Sequence, residues 1–380
     1  MHVAAALLNV ALVLPTPKIA PPITMTATST VADDVLCSLK ELAPSITMAA
    51  TSTVADDVLS SLQELAPPES KIDWAKLQEL LERTADTPYK EWSSTCAAAE
   101  ELQALLGDPS DDGFCAIFDR VLRDGNWAGA AACAASRGAD DRPWVVLVTG
   151  LNGIRKTTSV YQPWFKPALA KSLGVDDVPC GGDSFFRQLD FMIATVANER
   201  FRKLYATDDV AAYAELKEQL FGRYRKVAEM LGVLLVRAAQ RKRMNVMVET
   251  SGRDVASFEY VDHLFPDDAY RKLVLHFTIN DVAFAEQSVS SRFDGERAAG
   301  RAALAAGDPK AVIDANAGGP YGPAVLRRVQ GESDAVHARV VAGEVAKGWS
   351  RARIAITAHE SEPWVAQADG EGERFEFVRL

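Results

Sequence analysis

Apolar residues change their spacing several times along the 380-residue chain, and each change marks an element. The run VAAALLNVALVL, Val3 to Leu14, is unbroken but only 12 residues long, too short to cross a bilayer as a helix. Helical spacing then appears twice. ITMTATSTVADDVLCSLKELAP (Ile23–Pro44) recurs almost unchanged as ITMAATSTVADDVLSSLQELAP (Ile46–Pro67), with Val31, Val35, Leu36 and Leu39 repeated as Val54, Val58, Leu59 and Leu62. Ser29 and Ser52 are the candidate caps, and prolines end both copies. Two copies are too few for a solenoid, so a tethered, partly helical linker without chemistry of its own is expected. Ile72 to Arg137 reads as further helices, closed by Gly107 and Gly125, and carries no convergent polar cluster.

From Trp144 the period shortens. WVVLVTG (Trp144–Gly150) is apolar and β-branched throughout, as a parallel strand covered on both faces must be. A short strand is expected near Val178–Gly181, long helices over 188–205 and 210–240, a strand at Val246–Val248, and another at KLVLHFTI, Lys272–Ile279. Strands separated by helices predict the α/β class, a parallel sheet sandwiched by helices and preceded by a small helical region. The expected divisions are a leader-like tail (1–22), the duplicated linker (23–70), the helical region (71–140) and the main domain (141–380).

Charge narrows the partners. With 41 Lys plus Arg against 52 Asp plus Glu, the formal net charge is -11, which disfavours an extended nucleic-acid interface or an anionic membrane; any bound anion must be held locally. Cys37, Cys96, Cys115, Cys133 and Cys180 are odd in number and widely spaced, as in a reducing compartment. No Lys or Arg precedes the first apolar run and no small-residue cleavage site follows it, so an intracellular location, cytoplasmic or organellar behind a plastid-type leader, is expected over secretion. No transmembrane segment is expected.

The chemistry begins where the first strand ends. GLNGIRKTT approximates the phosphate-binding loop G-x-x-x-x-G-K-[ST]: Gly150 is the first glycine, Leu151, Asn152, Gly153 and Ile154 fill the loop, and Lys156 with Thr157 and Thr158 opens the next helix. Arg155 stands where the second glycine belongs, a position that resists a side chain. In such a loop successive N–H groups face a phosphate, Lys156 reaches the terminal phosphates and Thr157 the Mg²⁺ of ATP. This makes the sheet P-loop NTPase-type. Asp183, in GGDSFFR, is expected at the carboxyl end of the second strand, where open α/β sheets hold ligands, as a general base. NVMVETSGRD delivers Glu249, Ser251 and Arg253 at alternate positions to hold a polar substrate, with Glu249 also able to order Mg²⁺. Arg292, Arg297 and Arg301 lie in a later helical stretch and suit a transferring phosphoryl group.

These residues, from Val145 to Arg301, resemble the zeta-toxin-like group of P-loop kinases: the P-loop, Asp-Ser-Phe-Phe-Arg at 183–187, E-x-[ST]-x-R at 249–253 and S-V-x-x-R at 288–292. The resemblance implies ATP-dependent phosphoryl transfer to a hydroxyl of a small-molecule acceptor. It assigns Asp183 to proton abstraction, Glu249, Ser251, Arg253 and Arg187 to the substrate, and Arg292 with Arg297 or Arg301 to the γ-phosphate. Two alternatives stay open: a nucleotide-binding interaction protein that has lost turnover, motivated by Arg155, and an NTP hydrolase with Glu249 beside its water.

Overall fold

A computed structural model describes residues 52–357 and, as backbone, two further strands at 365–370 and 373–378; the leader and the first repeat copy lie outside the described residues. Ahead of the sheet run α1 (Val54–Leu65), α2 (Trp74–Thr84), α3 (Trp92–Leu106), α4 (Asp112–Ile117), α5 (Asp119–Asp124) and α6 (Trp127–Ala135). The second repeat copy is therefore α1. Its N-cap is Thr53 rather than the expected Ser52, because Thr53 and Asp56 cap each other's N–H groups, freeing Ser52 to bond Asp57.

The α/β part follows as β1 (Trp144–Gly150), α7 (Lys156–Val160), α8 (Phe165–Leu173), β2 (Ser184–Phe186), α9 (Leu189–Val196), α10 (Asn198–Tyr205), α11 (Val210–Arg223) and α12 (Arg225–Arg241). Then come β3 (Asn245–Glu249), α13 (Ala256–Leu264), β4 (Arg271–Ile279), α14 (Val282–Ala306), α15 (Pro309–Ala315), α16 (Leu326–Val341), β5 (Ser350–Thr357), β6 (Val365–Gly370) and β7 (Glu373–Val378). Among the described residues the sheet order is β2-β3-β1-β4-β5-β6-β7; the first five strands are parallel, and β6 and β7 extend the edge antiparallel. All seven residues of β1 are buried, which fits its apolar run between helical layers. No helix of the described residues is long and apolar enough to cross a membrane.

This order positions a site. Both neighbours of β1, strands β3 and β4, run parallel to it, and the chain leaves β1 toward β2 on one side and arrives at β4 on the other. The crevice at the carboxyl end of β1 is therefore a topological switch point, the place where open α/β sheets bind ligands. Each long helix expected between β2 and β3 is two helices, broken at Ala197 and at Tyr224. Of these, α12 is buried along most of its length and is covered in turn by α3.

Candidate functional site

The loop between β1 and α7 folds on its glycines. Gly150 has φ +126° and a Cβ there would meet the Phe277 carbonyl oxygen at 2.3 Å; Gly153 has φ +84° and would meet the Ala285 carbonyl oxygen at 2.8 Å. Arg155 occupies the left-handed region, φ 62° and ψ 31°, so the missing glycine's backbone shape survives with a side chain on it. That costs on the order of 1–3 kcal/mol locally. Its guanidinium lies 5.5 Å from the Phe284 ring at the start of α14. Helix α7 is only five residues long, because Pro163 follows and prevents the chain from continuing it.

Lys156 is 4% exposed. Its ammonium donates to the carbonyls of Gly150 at 2.9 Å and Leu151 at 2.8 Å, and pairs with Glu249 Oε1 at 3.4 Å. Burial lowers its pKa, although the Glu249 carboxylate pulls the other way. Thr157 donates its hydroxyl to Glu249 Oε2 at 2.5 Å. Val148 of β1 is in register with Glu249 of β3, which is why the last residue of one strand meets the loop that follows the other.

These groups form one end of a cleft of about 790 Å³. Glu249, Ser251 and Arg253 all line it, though not by an extended strand: β3 ends at Glu249 and the chain turns at Gly252, φ +72°. Arg253 stacks 4.9 Å from the Tyr321 ring and lies 3.7 Å from Glu332. Arg187 is buried against Glu229, with its guanidinium 4.7 Å from the Tyr260 ring and in a space that exists because residue 232 of α12 is glycine. Arg225 shares Glu229 at 2.8 Å; burial, and then the neighbouring Arg187, lower its pKa to about 10. Arg292 also lines the cleft, beside Gly318, and its Nε and Nη2 are buried without a hydrogen-bond partner.

Three expectations need correction. The strand predicted near Val178–Gly181 is Ser184–Phe186, so Asp183 precedes its strand instead of ending it. It sits in a 3₁₀ turn at the amino edge of the sheet, accepting from Cys180 N at 2.9 Å, Asn245 Nδ2 at 3.2 Å and Lys166 Nζ at 3.0 Å. It is a turn-capping carboxylate away from the cleft. Arg297 and Arg301 are five and nine residues beyond Arg292, and at about 100° per residue they point to the other side of α14. There they fasten the turn before α11: Arg297 donates to the Asp208 carbonyl and Arg301 pairs with the Asp208 carboxylate at 2.6 Å.

The carboxylate at the carboxyl end of β2 is Asp190, at the start of α9, which the sequence reading missed. It lines the cleft and accepts no side-chain or backbone hydrogen bond on its carboxylate among the described residues. Burial raises its pKa, outweighing the attraction of Lys217 and Arg292. The helical region also reaches the cleft, where Tyr89, Lys90 and Trp92 are part of the lining. Lys90 pairs with Asp254, Trp92 packs edge-on against Tyr260 at 5.0 Å, and Arg225 lies 5.2 Å from the Tyr89 ring.

No protein-family model matches the chain, and no curated protein matches it. Among solved structures, a chain described in a characterization of the PezAT chromosomal toxin-antitoxin system of Streptococcus pneumoniae is similar to 63% of this chain over 78% of its own, at 11% identity and a TM-score of 0.35. The P-loop-type fold is carried by the strand order and by the loop after β1.

Proposed function

We propose that the cleft transfers the γ-phosphate of ATP to a hydroxyl of a small-molecule acceptor, as the resemblance to zeta-toxin-like kinases implies. The observation that carries this reading is that Asp190, a raised-pKa carboxylate, and Arg292, a guanidinium with two buried nitrogens that make no hydrogen bond, line the same cleft as the phosphate-loop lysine. ATP phosphates would take the loop N–H groups and draw Lys156 from the Gly150 and Leu151 carbonyls. Thr157 and Glu249 present a hydroxyl and a carboxylate together, a donor set suited to Mg²⁺, which favours oxygen and holds few protein ligands. When bound, that ion would neutralise phosphate charge.

Asp190 takes the proton of the acceptor hydroxyl as its oxygen bonds to the γ-phosphorus and the bond to ADP breaks. A carboxylate whose pKa is already raised accepts a proton more readily than an ordinary one. Arg292 meets the charge on the transferring group, for which its two buried nitrogens, Nε and Nη2, have no hydrogen bond to give up. Glu249, Ser251, Arg253 and Arg187, which line the same cleft, would hold the acceptor.

The test is ATP binding and turnover by the full chain with Mg²⁺ and a pool of hydroxyl-bearing metabolites. Asp190→Asn is expected to lose transfer by roughly 10²-fold or more with ATP binding kept, Lys156→Ala to lose binding, and Asp183→Asn to behave as wild type. Loss in Asp183→Asn with full activity in Asp190→Asn would overturn the assignment. A second reading is favoured by Arg155 and by the bonds that engage Lys156 within its own loop: a protein that binds nucleotide without consuming it. Binding without turnover under any acceptor would select it.

A further inference from the structure

Helix α1 is docked as a ligand is. Seven of its residues are buried, and its recognition is polar as well as apolar. Asp57, 7% exposed, accepts from Arg200 at 2.9 Å and from the Tyr224 hydroxyl; Arg200 also reaches the Ser52 hydroxyl, and Arg223 donates to the Ser52 carbonyl at 2.9 Å. Glu64 adds a pair with Arg202 at 2.7 Å. The groove is walled by α2, α9 and α10, with α4 and α15 at its edges, and α9 is the helix that carries Asp190.

Every one of those positions recurs 23 residues earlier with the same amino acid: Ser29 for Ser52, Asp34 for Asp57, Leu39 for Leu62, Glu41 for Glu64, and so through all seven buried residues. The two copies differ at three positions, Thr26/Ala49, Cys37/Ser60 and Lys40/Gln63, and within α1 both differing residues, Ser60 and Gln63, face solvent. Within α1 the duplication has therefore kept every buried residue and varied only exposed ones.

We propose that the groove is a binding site for either copy, and that residues 29–42 take the place of residues 52–65 in the same chain when the latter leave. Both copies are tethered to the groove, so exchange within the chain outcompetes any second molecule at ordinary concentrations. The linker sets the preference. With α1 docked, eight residues (66–73) reach α2; with the first copy docked, 31 residues (43–73) must close the loop. That difference favours α1 by only about eightfold. The groove over α9 stays filled in either register.

The experiment uses the full chain with Leu62→Asp, Leu39→Asp, and both. A charge in place of Leu62, which is 1% exposed, expels that copy. Leu39→Asp is expected to leave Tm unchanged. Leu62→Asp lowers Tm by about 2 °C, the cost of the eightfold preference, and moves hydrogen-exchange protection from residues 54–65 to residues 31–42. The double variant falls well below either, or does not fold. Leu62→Asp as unstable as the double variant, or free exchange at 31–42 in that protein, overturns the proposal. So does protection at 31–42 that appears only in dimers on a sizing column, which would assign the occupant to a second molecule.

Discussion

Lys217 and Glu296 test how the cleft is held from behind. Both side chains are fully buried, and the Lys217 ammonium donates to the two Glu296 oxygens at 2.7 Å each. The same carboxylate accepts the Tyr213 hydroxyl and the Ala317 N–H at 2.9 Å, so it anchors the glycine-rich turn, Gly318 to Tyr321, that lines the cleft beside Arg292. Lys217→Met leaves a carboxylate buried with two donors and no counter-charge, at a cost of about 3–5 kcal/mol. For a folded unit of this size that is a fall in Tm of roughly 4–8 °C. Lys217→Met with Glu296→Gln removes both charges and keeps an acceptor for one of the two donors. The remaining loss is about 1–3 kcal/mol, that of an unpaired polar group. Urea melts of wild type, both single variants and the double variant give the coupling directly. A double variant as unstable as the sum of the singles would show that the pair does not act as a unit and would refute the reasoning.

Glu249→Gln removes the charge that pairs with Lys156 at 3.4 Å and faces the phosphates; ATP without Mg²⁺ should bind about tenfold tighter and the Mg²⁺ dependence of binding should disappear, as read by calorimetry with and without chelator. His337 stacks 3.9 Å from His276, with Asp334, Arg351 and Arg353 around the pair, and burial, then His276, lowers its pKa to about 4. Since an unfolded histidine titrates near 6.5, the neutral ring contributes stability that is whole above about pH 6.5 and is lost as pH falls toward 4, some ~2 kcal/mol after allowing for its partial exposure. The difference in urea midpoint between wild type and His337→Gln should therefore change between pH 7.5 and pH 4.5; a constant difference would count against it.

Much of the sheet was legible because burial on both faces leaves a plain trace: WVVLVTG and KLVLHFTI became β1 and β4. The second strand was not. It is three residues long, Ser184–Phe186, and follows a Gly-Gly turn that no apolar run announces. In a parallel sheet, moving a strand by its own length changes which edge a neighbouring carboxylate occupies, so the sequence puts Asp183 at the ligand edge and gives no sign of Asp190, seven residues on. Tyr89, Lys90, Arg225 and Glu229 were invisible for another reason. Their chemistry lies in contacts between α12 and the loop before α3, about 135 residues apart, and periodicity within one helix carries no information about them.

Arg155 shows what the phosphate loop requires. A glycine is favoured there because only glycine enters the left-handed region without cost, yet the arginine is held in that region. What holds it lies elsewhere: Gly150 packs on the Phe277 carbonyl and Gly153 on the Ala285 carbonyl, so β4 and α14 fix the path of the loop before Arg155 is reached. Those two positions leave no room for a Cβ, whereas the Arg155 side chain has somewhere to go, against the Phe284 ring. A steric requirement at Gly150 and Gly153 cannot be met by any other residue, but a conformational cost of about 1–3 kcal/mol at Arg155 can be offset by the packing around it. The loop therefore tolerates losing the second glycine and should not tolerate losing the first. Gly150→Ala is the substitution that should abolish nucleotide binding, and Arg155→Gly the one that should not.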